Sequence, residues 1–516
     1  MLALFHAQPR AFYMIFMLEI WERFGFYTVQ GVLTLYFIRF LGFSDTAAYY
    51  TFGAFSALVY GMVSLGGYLG DKVLGTKRTI VLGLIILALG YFSLAITDKE
   101  HVFWALGLVC VGNGLFKANP SSLLAKCYEE NDPRLYAGFT LYYMAINLGS
   151  TVALFVGPSL SSSYGYSYAY FLSFIGLVLG LTNYWFQRKH VAYINTPADR
   201  KIIMLWQWGL VIVGIAIVTG ISAYLLQDVM LARNLVWVIT VVVVLIYFFY
   251  MRNENKISFM RMLVAFILML EAVIFFTLYQ QMPTSLNLFA VHNVTPTLFG
   301  IHIDPQSFQA LNPIWIIIMS PILATLYSKL HQGGISFPIP YKFALGMLAC
   351  GLSFSLLYFA RFLHDGSGMV SSWWLVASYF FQSTGELLVS ALGVAMIAEL
   401  VPDRIAGFVM GMWFLTSAMA GFIGASVASF TALPENLQPG VESLRIYTQV
   451  FAYIGLITLG IGLLMWLTSA RLSRYIRREP VLVNDEAREG RREKDLFCII
   501  FRRLFTIPFL MRLWKN

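Results

Sequence analysis

Three charged side chains interrupt the first apolar stretch of the sequence. Glu19, Glu22 and Arg23 lie in the segment EIWERFGFY, within a run from Phe12 to Phe40 that is otherwise largely apolar. A charge at the centre of a bilayer helix costs about 2.5–3.5 kcal/mol on insertion scales, so such groups usually face a protein interior or an aqueous cavity. Two carboxylates around one guanidinium leave a negative charge that a proton can neutralise. The pattern favours a proton-binding site over a salt-bridge cluster that only fastens helices together.

Two further charges interrupt apolar segments at matching places in the two halves of the chain. Lys117 lies in GNGLFKANPSS, and Glu386 lies in QSTGELLVSALG. If the halves are parallel repeats related by an axis along the membrane normal, a basic and an acidic group face each other across a central cavity. This arrangement predicts a receptor for a zwitterion, with a carboxylate between Arg23 and Lys117 and an amino group near Glu386. The alternatives are a lysine neutralised by Glu19 or Glu22, and a Glu386 carboxyl that stays protonated in an apolar setting.

Amide and aromatic side chains complete the candidate cavity. Asn147 in YYMAINLGS and Asn312 in ALNPIWI can accept from an ammonium or donate to a peptide carbonyl. A single buried amide more often joins two helices, and that alternative stays open for both. Tyr27 shares the helix face of Glu19 and Arg23, and with Tyr60 it is our candidate for the pocket wall.

A charged turn follows the second apolar segment. The sequence GGYLGDKVLGTKRT, residues 66–79, contains Asp71, Lys77 and Arg78 between two predicted helices. The glycines allow helices to approach closely, and the charges can latch neighbouring helix ends in one conformation and release them in another. We therefore expect a gate, although a loop that only sets the topology would have a similar composition.

The composition identifies the class of protein. Of the 516 residues, 59% are hydrophobic and only 12% are charged, which leaves too little polar surface to coat a soluble globule. The four cysteines have unrelated spacings, so we expect neither a disulfide framework nor a metal site, and no cofactor. Hydrolase motifs such as H-E-x-x-H and G-x-S-x-G are absent from the sequence, so an enzyme is not expected.

A membrane-spanning helix needs about 20 mostly apolar residues, and this rule predicts an all-α protein with fourteen spans grouped six, two and six. We expect an N-terminal bundle in residues 1–190, two inserted helices in 191–255, a second bundle in 256–470 and a basic cytoplasmic tail in 471–516. The spans are predicted near residues 11–41, 46–70, 76–97, 102–125, 134–160, 164–187, 202–226, 230–251, 257–290, 306–331, 337–361, 371–400, 404–432 and 444–469.

The distribution of basic residues predicts the orientation. The loops assigned to the cytoplasm hold sixteen Lys and Arg residues and the outer loops hold five, so both termini are predicted to be cytoplasmic. The net charge of +9 reflects mainly twelve basic residues in the tail, which favours attraction to anionic lipid rather than nucleic-acid binding. Residues 496–514 of the tail mix apolar and basic side chains and are predicted to form an amphipathic helix or a topology signal.

These motifs resemble known families. The turn at residues 66–79 is similar to the G-x-x-x-D-x-x-x-G-[KR] signature of the major facilitator superfamily. EIWERFGFY resembles the E-x-x-E-R-F-x-Y-Y motif of proton-dependent oligopeptide transporters (POT/PTR), with Phe26 in place of the first tyrosine. FTLYYMAINLGS (139–150) resembles the second signature of that family, and Lys117 and Glu386 fall in contexts similar to its fourth-helix lysine and tenth-helix glutamate.

The resemblance implies a major facilitator fold with two extra helices between the bundles. It also implies uptake of di- and tripeptides coupled to inward proton flow by alternating access. The family's ammonium-binding residues carry over to Asn147, Asn312 and Glu386. Its carboxylate-binding residues carry over to Arg23, Lys117 and Tyr27, and proton coupling to Glu19, Glu22, Arg23 and Lys117.

The sequence departs from the family at a proposed outer gate. Many members have an acidic residue on the seventh core helix and an arginine late on the first, whereas the aligned positions here are Gln280 and Gln30. We expect a Gln30–Gln280 hydrogen bond in place of the ion pair, and a restricted peptide preference.

Two other functions remain open at this point. The same fold could carry another zwitterion or a drug, or the cavity could belong to a peptide sensor that transports nothing. The compact loops and the extra helix pair favour a bacterial inner-membrane protein. We also expect a monomer, with the peptides and protons that the resemblance implies and with membrane lipids as partners.

Overall fold

The computed structural model describes residues 5–129, 132, 134–332, 337–434 and 436–476. Seventeen α-helices account for most of this part of the chain. They are α1 Arg10–Arg39, α2 Asp45–Tyr68, α3 Thr76–Ile96, α4 Val102–Lys117, α5 Asn119–Ala125, α6 Arg134–Tyr164, α7 Tyr166–Gln187, α8 Leu205–Gln227, α9 Val229–Arg252, α10 Lys256–Tyr279, α11 Ser285–Asn293, α12 Leu311–Gln332, α13 Ile339–Ala360, α14 Trp373–Val389, α15 Gly393–Leu400, α16 Asp403–Ser429 and α17 Val441–Ile476. The predicted tail helix at 496–514 lies outside the described residues.

Twelve spans in the described residues are long and apolar enough to cross a membrane. The 30-residue helix α1 is not among them, because it carries the three charges of EIWER in addition to Arg10 and Arg39. The 17-residue helix α14 is the other predicted span that does not qualify by itself. The fold is therefore consistent with the fourteen predicted spans. The predicted domain boundaries stay predictions.

The predicted span at 257–290 is wrong as a single helix. Helix α10 ends at Tyr279, and a turn over Gln280–Thr284 leads into the short helix α11. Pro283 lacks a backbone N–H and cannot continue an α-helix without losing a hydrogen bond. The break leaves the Pro283 carbonyl free to accept a hydrogen bond from the Thr34 hydroxyl at 2.6 Å, so the interruption joins the two halves.

The predicted span at 102–125 also contains a break, and Lys117 is the last residue before it. Pro120 occupies the first turn of α5, where its missing N–H costs least. The Asn119 side chain donates to the carbonyls of Leu115, at 2.7 Å, and Gly66, at 3.2 Å. These two bonds fix the end of α4 against α2, and they position Lys117.

A third break divides the predicted span at 371–400. A short 3₁₀ turn, Ser390–Leu392, separates α14 from α15. Gly393 begins α15 directly against the indole of Trp413, where a Cβ atom would lie 2.0 Å from the ring. Only glycine leaves enough space for this contact.

A small β-hairpin follows α11 and was not predicted. Thr297–Leu298 pairs antiparallel with Ile301–His302, and the two-residue turn is Phe299–Gly300. Both turn residues have positive φ angles, 52° for Phe299 and 79° for Gly300. This is the backbone that a tight two-residue hairpin requires.

The helices form two bundles, each with its own apolar core. In the first bundle α1 packs on α6 and α7, and α3 packs on α4 and α7. In the second bundle α13 packs on α17 and α14, and α10 packs on α16. Helix α8 lies against α4, whereas α9 lies against α16 and α2. The inserted pair thus contacts both bundles.

The bundles are joined mainly at one end of the molecule, which we call the α1–α2 end because it carries the turn at 40–44. Hydrogen bonds that involve a side chain connect described residues of 5–201 with those of 256–476, and seven of them lie in the half of the protein nearer this end. They join Thr34 to Pro283, Asp45 to Leu433, Tyr49 to Thr431, Tyr50 to Ser426, Ser56 to Gln280, Gly31 to Gln309 and Phe155 to Ser307.

Close packing of α2 on α16 reinforces this contact between the bundles. A Cβ atom added to Gly53 would lie 2.5 Å from the Gly421 carbonyl oxygen, and one added to Gly421 would lie 2.6 Å from that of Gly53. Glycine at both positions therefore permits this approach of the two backbones. The described conformation is closed at the α1–α2 end.

Candidate functional site

The charged cluster of α1 forms as the sequence predicts. Arg23 Nε lies 2.9 Å from Glu19 Oε1 and 2.6 Å from Glu22 Oε2, and all three residues are buried. The Arg23–Glu22 pair is close without being aligned as a hydrogen bond. Both contacts use Nε, and the two terminal guanidinium nitrogens carry four further N–H groups that can bind another anion.

Two neutral side chains hold the carboxylates from other helices. The Tyr142 hydroxyl on α6 donates to Glu19 Oε2 at 2.7 Å, and Asn113 Nδ2 on α4 donates to Glu22 Oε1 at 3.2 Å. Neither residue was assigned to the charged cluster from the sequence. Asn113 lies one helical turn before Lys117, so the four-residue spacing was a signal that could have identified it.

Lys117 lies near this cluster without a direct ion pair among the described residues. Its Nζ atom is 3.8 Å from the centroid of the Tyr60 ring and 6.0 Å from that of Phe26. A cation over an aromatic face is stabilised by the ring quadrupole. Neutralisation by a direct contact with Glu19 or Glu22 does not occur in this conformation, although both carboxylates act on Lys117 electrostatically.

The acidic pole of the site is built from α12 and α14. Asn312 Nδ2 donates to Glu386 Oε2 at 2.8 Å and to Ser383 Oγ at 3.1 Å. Ser383 returns a hydrogen bond to the Asn312 carbonyl at 3.2 Å. Asn312 thus forms the helix-to-helix bond that was left open as an alternative, and its partner is the predicted site carboxylate. Ser383 was missed, because a single serine on an apolar helix carries no distinctive pattern.

Tyrosine side chains connect the basic and acidic poles. Tyr27 and Tyr60 are half-buried, and each interacts electrostatically with both Arg23 and Glu386. Tyr143 and Tyr279 also interact with Glu386. Arg23 of the first bundle and Glu386 of the second therefore lie within electrostatic range of the same two tyrosines.

Asn147 lies near this space, but its recorded hydrogen bond is local. Its Nδ2 donates to the Tyr143 carbonyl of the same helix at 2.8 Å, and the residue is buried. The alternative, a hydrogen bond from this side chain to another helix, is not found among the described residues. A role in substrate binding stays a prediction.

The two glutamines at the predicted gate line one small cavity, together with Phe26, Ser56 and Tyr60. Gln280 donates to Ser56 Oγ at 2.7 Å and not to Gln30, so the predicted Gln30–Gln280 bond is wrong for this conformation. Ser56 on α2 is the nearer acceptor. A hydroxyl–amide bond thus joins the bundles here.

The charged turn after α2 binds the segment that follows α7. Lys77 Nζ donates to the Ile194 carbonyl at 2.7 Å and to Asn195 Oδ1 at 3.2 Å, and Arg78 donates to the Lys201 carbonyl at 3.0 Å. Asp71 is exposed. The basic residues therefore hold the connection to the inserted helices in this conformation, and a latch between the bundles is not observed. Their gating role stays a prediction.

No group of three or more His, Cys, Asp or Glu side chains that could hold a metal ion occurs among the described residues. The site consists of two poles of opposite charge 269 residues apart in sequence, Lys117 and Glu386. Such a site suits a small solute that carries a carboxylate at one end and an ammonium at the other.

Comparison with known proteins places this architecture in a family. Residues 77–448 match the POT family model (PTR2). Dipeptide and tripeptide permease B of Xenorhabdus bovienii is 48% identical over 474 residues, which cover 92% of this chain and 97% of that protein. Its namesake in Salmonella typhimurium is 47% identical over 471 residues (91% and 96%), and dipeptide and tripeptide permease A of Proteus mirabilis is 47% identical over 469 residues (90% and 96%).

Solved structures have the same fold. A bacterial homologue of the human drug peptide transporters PepT1 and PepT2 superposes with a TM-score of 0.81 at 34% identity, over 91% of this chain and 99% of that one. Tetrameric PepTSo2 gives 0.80 at 34% identity, over 90% and 99%. A mutant of peptide transporter POT in complex with alafosfalin gives 0.79 at 29% identity, over 91% and 96%. These matches confirm the predicted fold class and family.

Proposed function

This chain belongs to the POT family, and from that premise we propose that it is a proton-coupled symporter that imports di- and tripeptides by alternating access. It is a multi-pass membrane transporter and not an enzyme. The relatives named dipeptide and tripeptide permease, from bacteria, support both the substrate class and the bacterial inner membrane as its location.

The observation that carries the proposal is the pairing of charge poles across one space. Arg23 and Lys117 lie on one side, and Glu386 with its donor Asn312 lies on the other. We infer that the peptide carboxylate binds Arg23 and Lys117 with help from Tyr27. The peptide ammonium replaces the Asn312 donor as a partner of Glu386.

Proton coupling follows from the presence of two carboxylates around the single guanidinium of Arg23. A proton on Glu22 or Glu19 removes one of the two carboxylates that hold the guanidinium. Arg23 is then free to bind the peptide carboxylate, so proton and peptide each favour the binding of the other, as linkage requires. Deprotonation on the opposite side of the membrane returns Arg23 to its carboxylates and expels the peptide.

The conformation fits one stage of this cycle. We assign the α1–α2 end to the outside of the membrane, because the positive-inside rule places both termini in the cytoplasm. The described state is then closed to the outside. We retain the turn with Asp71, Lys77 and Arg78 as a cytoplasmic gate that closes in the opposite state, with Gln30 and Gln280 at the outer gate.

A single chain contributes both poles, so we propose that the monomer is the transport unit. The two bundles, 1–190 and 256–470, move about the site as units, and the inserted helices of 191–255 follow both. Lipid contacts of the basic tail belong to the same proposal.

Recognition of both peptide termini can be tested by ligand binding to the purified protein. Dialanine, N-acetylated dialanine and dialanine amide are titrated against the wild type and Glu386→Gln. A hydrogen bond to a charged group contributes about 1.5–3 kcal/mol, so wild type should bind dialanine roughly 10- to 100-fold more tightly than the acetylated peptide. Glu386→Gln should lose most of this preference while its weak affinity for the acetylated peptide stays the same.

Glu271→Gln is the matched control, because Glu271 is another buried carboxyl, and its Oε2 atom has no hydrogen-bond partner among the described residues. Glu271 lies on α10 and is not a residue of the proposed site, so its variant should retain the preference for dialanine over the acetylated peptide. Equal binding of blocked and free peptides by wild type would contradict the proposed recognition.

A further inference from the structure

Asn113 is a buried amide that contacts one of the two coupling carboxylates. It lies on α4 one turn before Lys117, and its side chain is fully buried. Its Nδ2 atom donates to Glu22 Oε1 at 3.2 Å. In the described part of the chain this is the only hydrogen bond that Glu22 Oε1 receives, since the contact with Arg23 uses Oε2.

The other end of the same amide has no partner. Asn113 Oδ1 is buried, and no donor reaches it among the described residues. Leaving a buried acceptor without a hydrogen bond costs about 1–3 kcal/mol, so an unpaired carbonyl beside a functional carboxyl calls for a physical reason. An apolar residue of the same size would avoid this cost.

The chemistry of the two groups supplies the reason. An ionised carboxylate only accepts hydrogen bonds, whereas a protonated carboxyl also donates one, and an amide can do either. Asn113 donates to Glu22 when Glu22 is ionised. After a rotation about its terminal side-chain torsion, its Oδ1 can accept the proton of the Glu22 carboxyl.

We propose that Asn113 is a positioning residue for proton coupling, which holds the Glu22 carboxyl in place in both of its protonation states. This inference rests on the proposed symport. Asn113 acts in two steps of the cycle. In the first, a proton from the outer solution is added to the Glu22 carboxylate, and in the second, Glu22 releases this proton to the cytoplasm. Asn113 itself neither gains nor loses a proton.

Five charged or titratable groups lie around Glu22 besides Asn113. Glu19 and Arg23 lie on the same helix, and Lys117 faces Glu22 from α4. Tyr91 approaches from α3, and Tyr142 from α6. All five groups remain when Asn113 is replaced, so a changed proton dependence would report on the amide.

The direction of the effect follows from the strengths of the two hydrogen bonds. A hydrogen bond to an ionised acceptor is roughly twice as strong as one between neutral groups. Loss of the amide therefore removes more stabilisation from the ionised state than from the protonated state. Uptake in the variant should therefore reach half its maximum at an external pH about one unit more alkaline. This shift is a change of about tenfold in the proton concentration at the midpoint.

The experiment measures the pH dependence of dialanine uptake into liposomes with wild type, Asn113→Leu and Asn113→Ala. Leu removes the hydrogen bond at similar volume, and Ala removes it without adding a charge or a second titratable group. Both variants should show the alkaline shift, while the KM for dialanine measured at an external pH well below the midpoint, and the peptide exchange measured at the same low pH on both sides, stay unchanged. Asn113→Ala keeps the test decisive if the Leu variant does not fold.

Asn183→Leu is the matched control, because Asn183 also donates across to α1, but to the Met14 carbonyl and away from the carboxylates. It should transport with the wild-type pH profile. A wild-type profile in both Asn113 variants would overturn the inference, as would an equal shift in Asn183→Leu. Failure of the wild type to accumulate dialanine would instead count against the proposed function itself.

Discussion

At the scale of single residues, the site depends on charges that find partners where water is scarce. Arg23 pairs with Glu19 and Glu22 through one nitrogen, Glu386 is held by Asn312, and Lys117 lies over the Tyr60 ring. Each charge therefore has a partner that, in the proposed function, a substrate terminus or a proton replaces. Exchangeable partners of this kind would distinguish a binding site from a permanent salt-bridge network.

An interaction between a carboxylate and a basic side chain also occurs in a loop outside the membrane-spanning helices, where it can be measured directly. In the loop between α3 and α4, Asp98 Oδ1 lies 2.8 Å from His101 Nδ1, and both side chains are exposed. The hydrogen bond and the charge of Asp98 raise the pKa of His101 above its ordinary value and lower that of Asp98. The pairing is complete at pH values below the ordinary pKa of histidine, and it is lost as the pH rises through the raised pKa.

We predict that Asp98→Asn brings the pKa of His101 down toward 6.5, the ordinary value. NMR titration of histidine-labelled protein measures this pKa, and the resonances of the other six histidines provide the internal control. An unchanged His101 pKa in the variant would show that the Asp98 contact does not form in solution. Transport should be unaffected, because the pair lies outside the site.

At the scale of elements, helix breaks place the functional groups. The break after Lys117 ends α4 at the site, the break at Gln280–Thr284 lets Pro283 bond Thr34, and the break before Gly393 admits Trp413. Pro120 and Pro283 are visible in the sequence, but the helix breaks were not predicted, because the apolar character continues across each of them. A span predicted from hydropathy alone reads through such interruptions.

We predict that Gly421→Leu weakens the closed state at the α1–α2 end. A Cβ atom there would lie 2.6 Å from the Gly53 carbonyl, so α2 and α16 must separate by roughly 1–2 Å. Spin labels at Thr46→Cys and Asn436→Cys, in a background without native cysteines, should show a longer mean distance, and dialanine uptake should fall. These two positions are exposed near that end.

Gly407→Leu serves as the control on the same helix, since a Cβ atom there meets nothing within 4 Å. Gly407→Leu raises the helix propensity as much as Gly421→Leu does, but it creates no close contact with another helix. Identical distance distributions for Gly421→Leu and the parent would contradict the assignment of this glycine pair to the outer closure.

At the scale of the whole molecule, composition, the motifs at 19–27, 66–79 and 139–150, and the isolated charges Lys117 and Glu386 were sufficient to predict the fold class and the family. They also identified both poles of the site, because an ionisable residue within an apolar span is rare enough to stand out. Asn113, Tyr142, Ser383 and Ser56 were not assigned, since polar residues of these types occur throughout helices and acquire meaning only through a partner on another helix. The β-hairpin at 297–302 was missed for a related reason, namely that its turn, Phe299–Gly300, lacks the Asn-Gly or Asp-Gly signal.

In the proposed symport, the closed α1–α2 end and the exchangeable charge partners explain how a proton gradient drives transport. The bundles then separate at this end to admit peptide and proton, and the seven hydrogen bonds that join them there are individually modest. Such a closure can be reversed in every transport cycle. It also predicts that transport stops if this end is held shut, while ligand binding from the other side continues.

Uphill uptake of labelled dialanine into liposomes, driven by an inward proton gradient, tests the central claim most directly. Wild type should accumulate dialanine above the external concentration, up to about tenfold per pH unit for one proton per peptide, and an uncoupler should abolish the accumulation. Glu22→Gln should exchange peptide across the membrane but reach only equal concentrations, whereas Glu271→Gln should behave as wild type. Accumulation that persists with the uncoupler, or full accumulation by Glu22→Gln, would contradict proton-coupled import through this site.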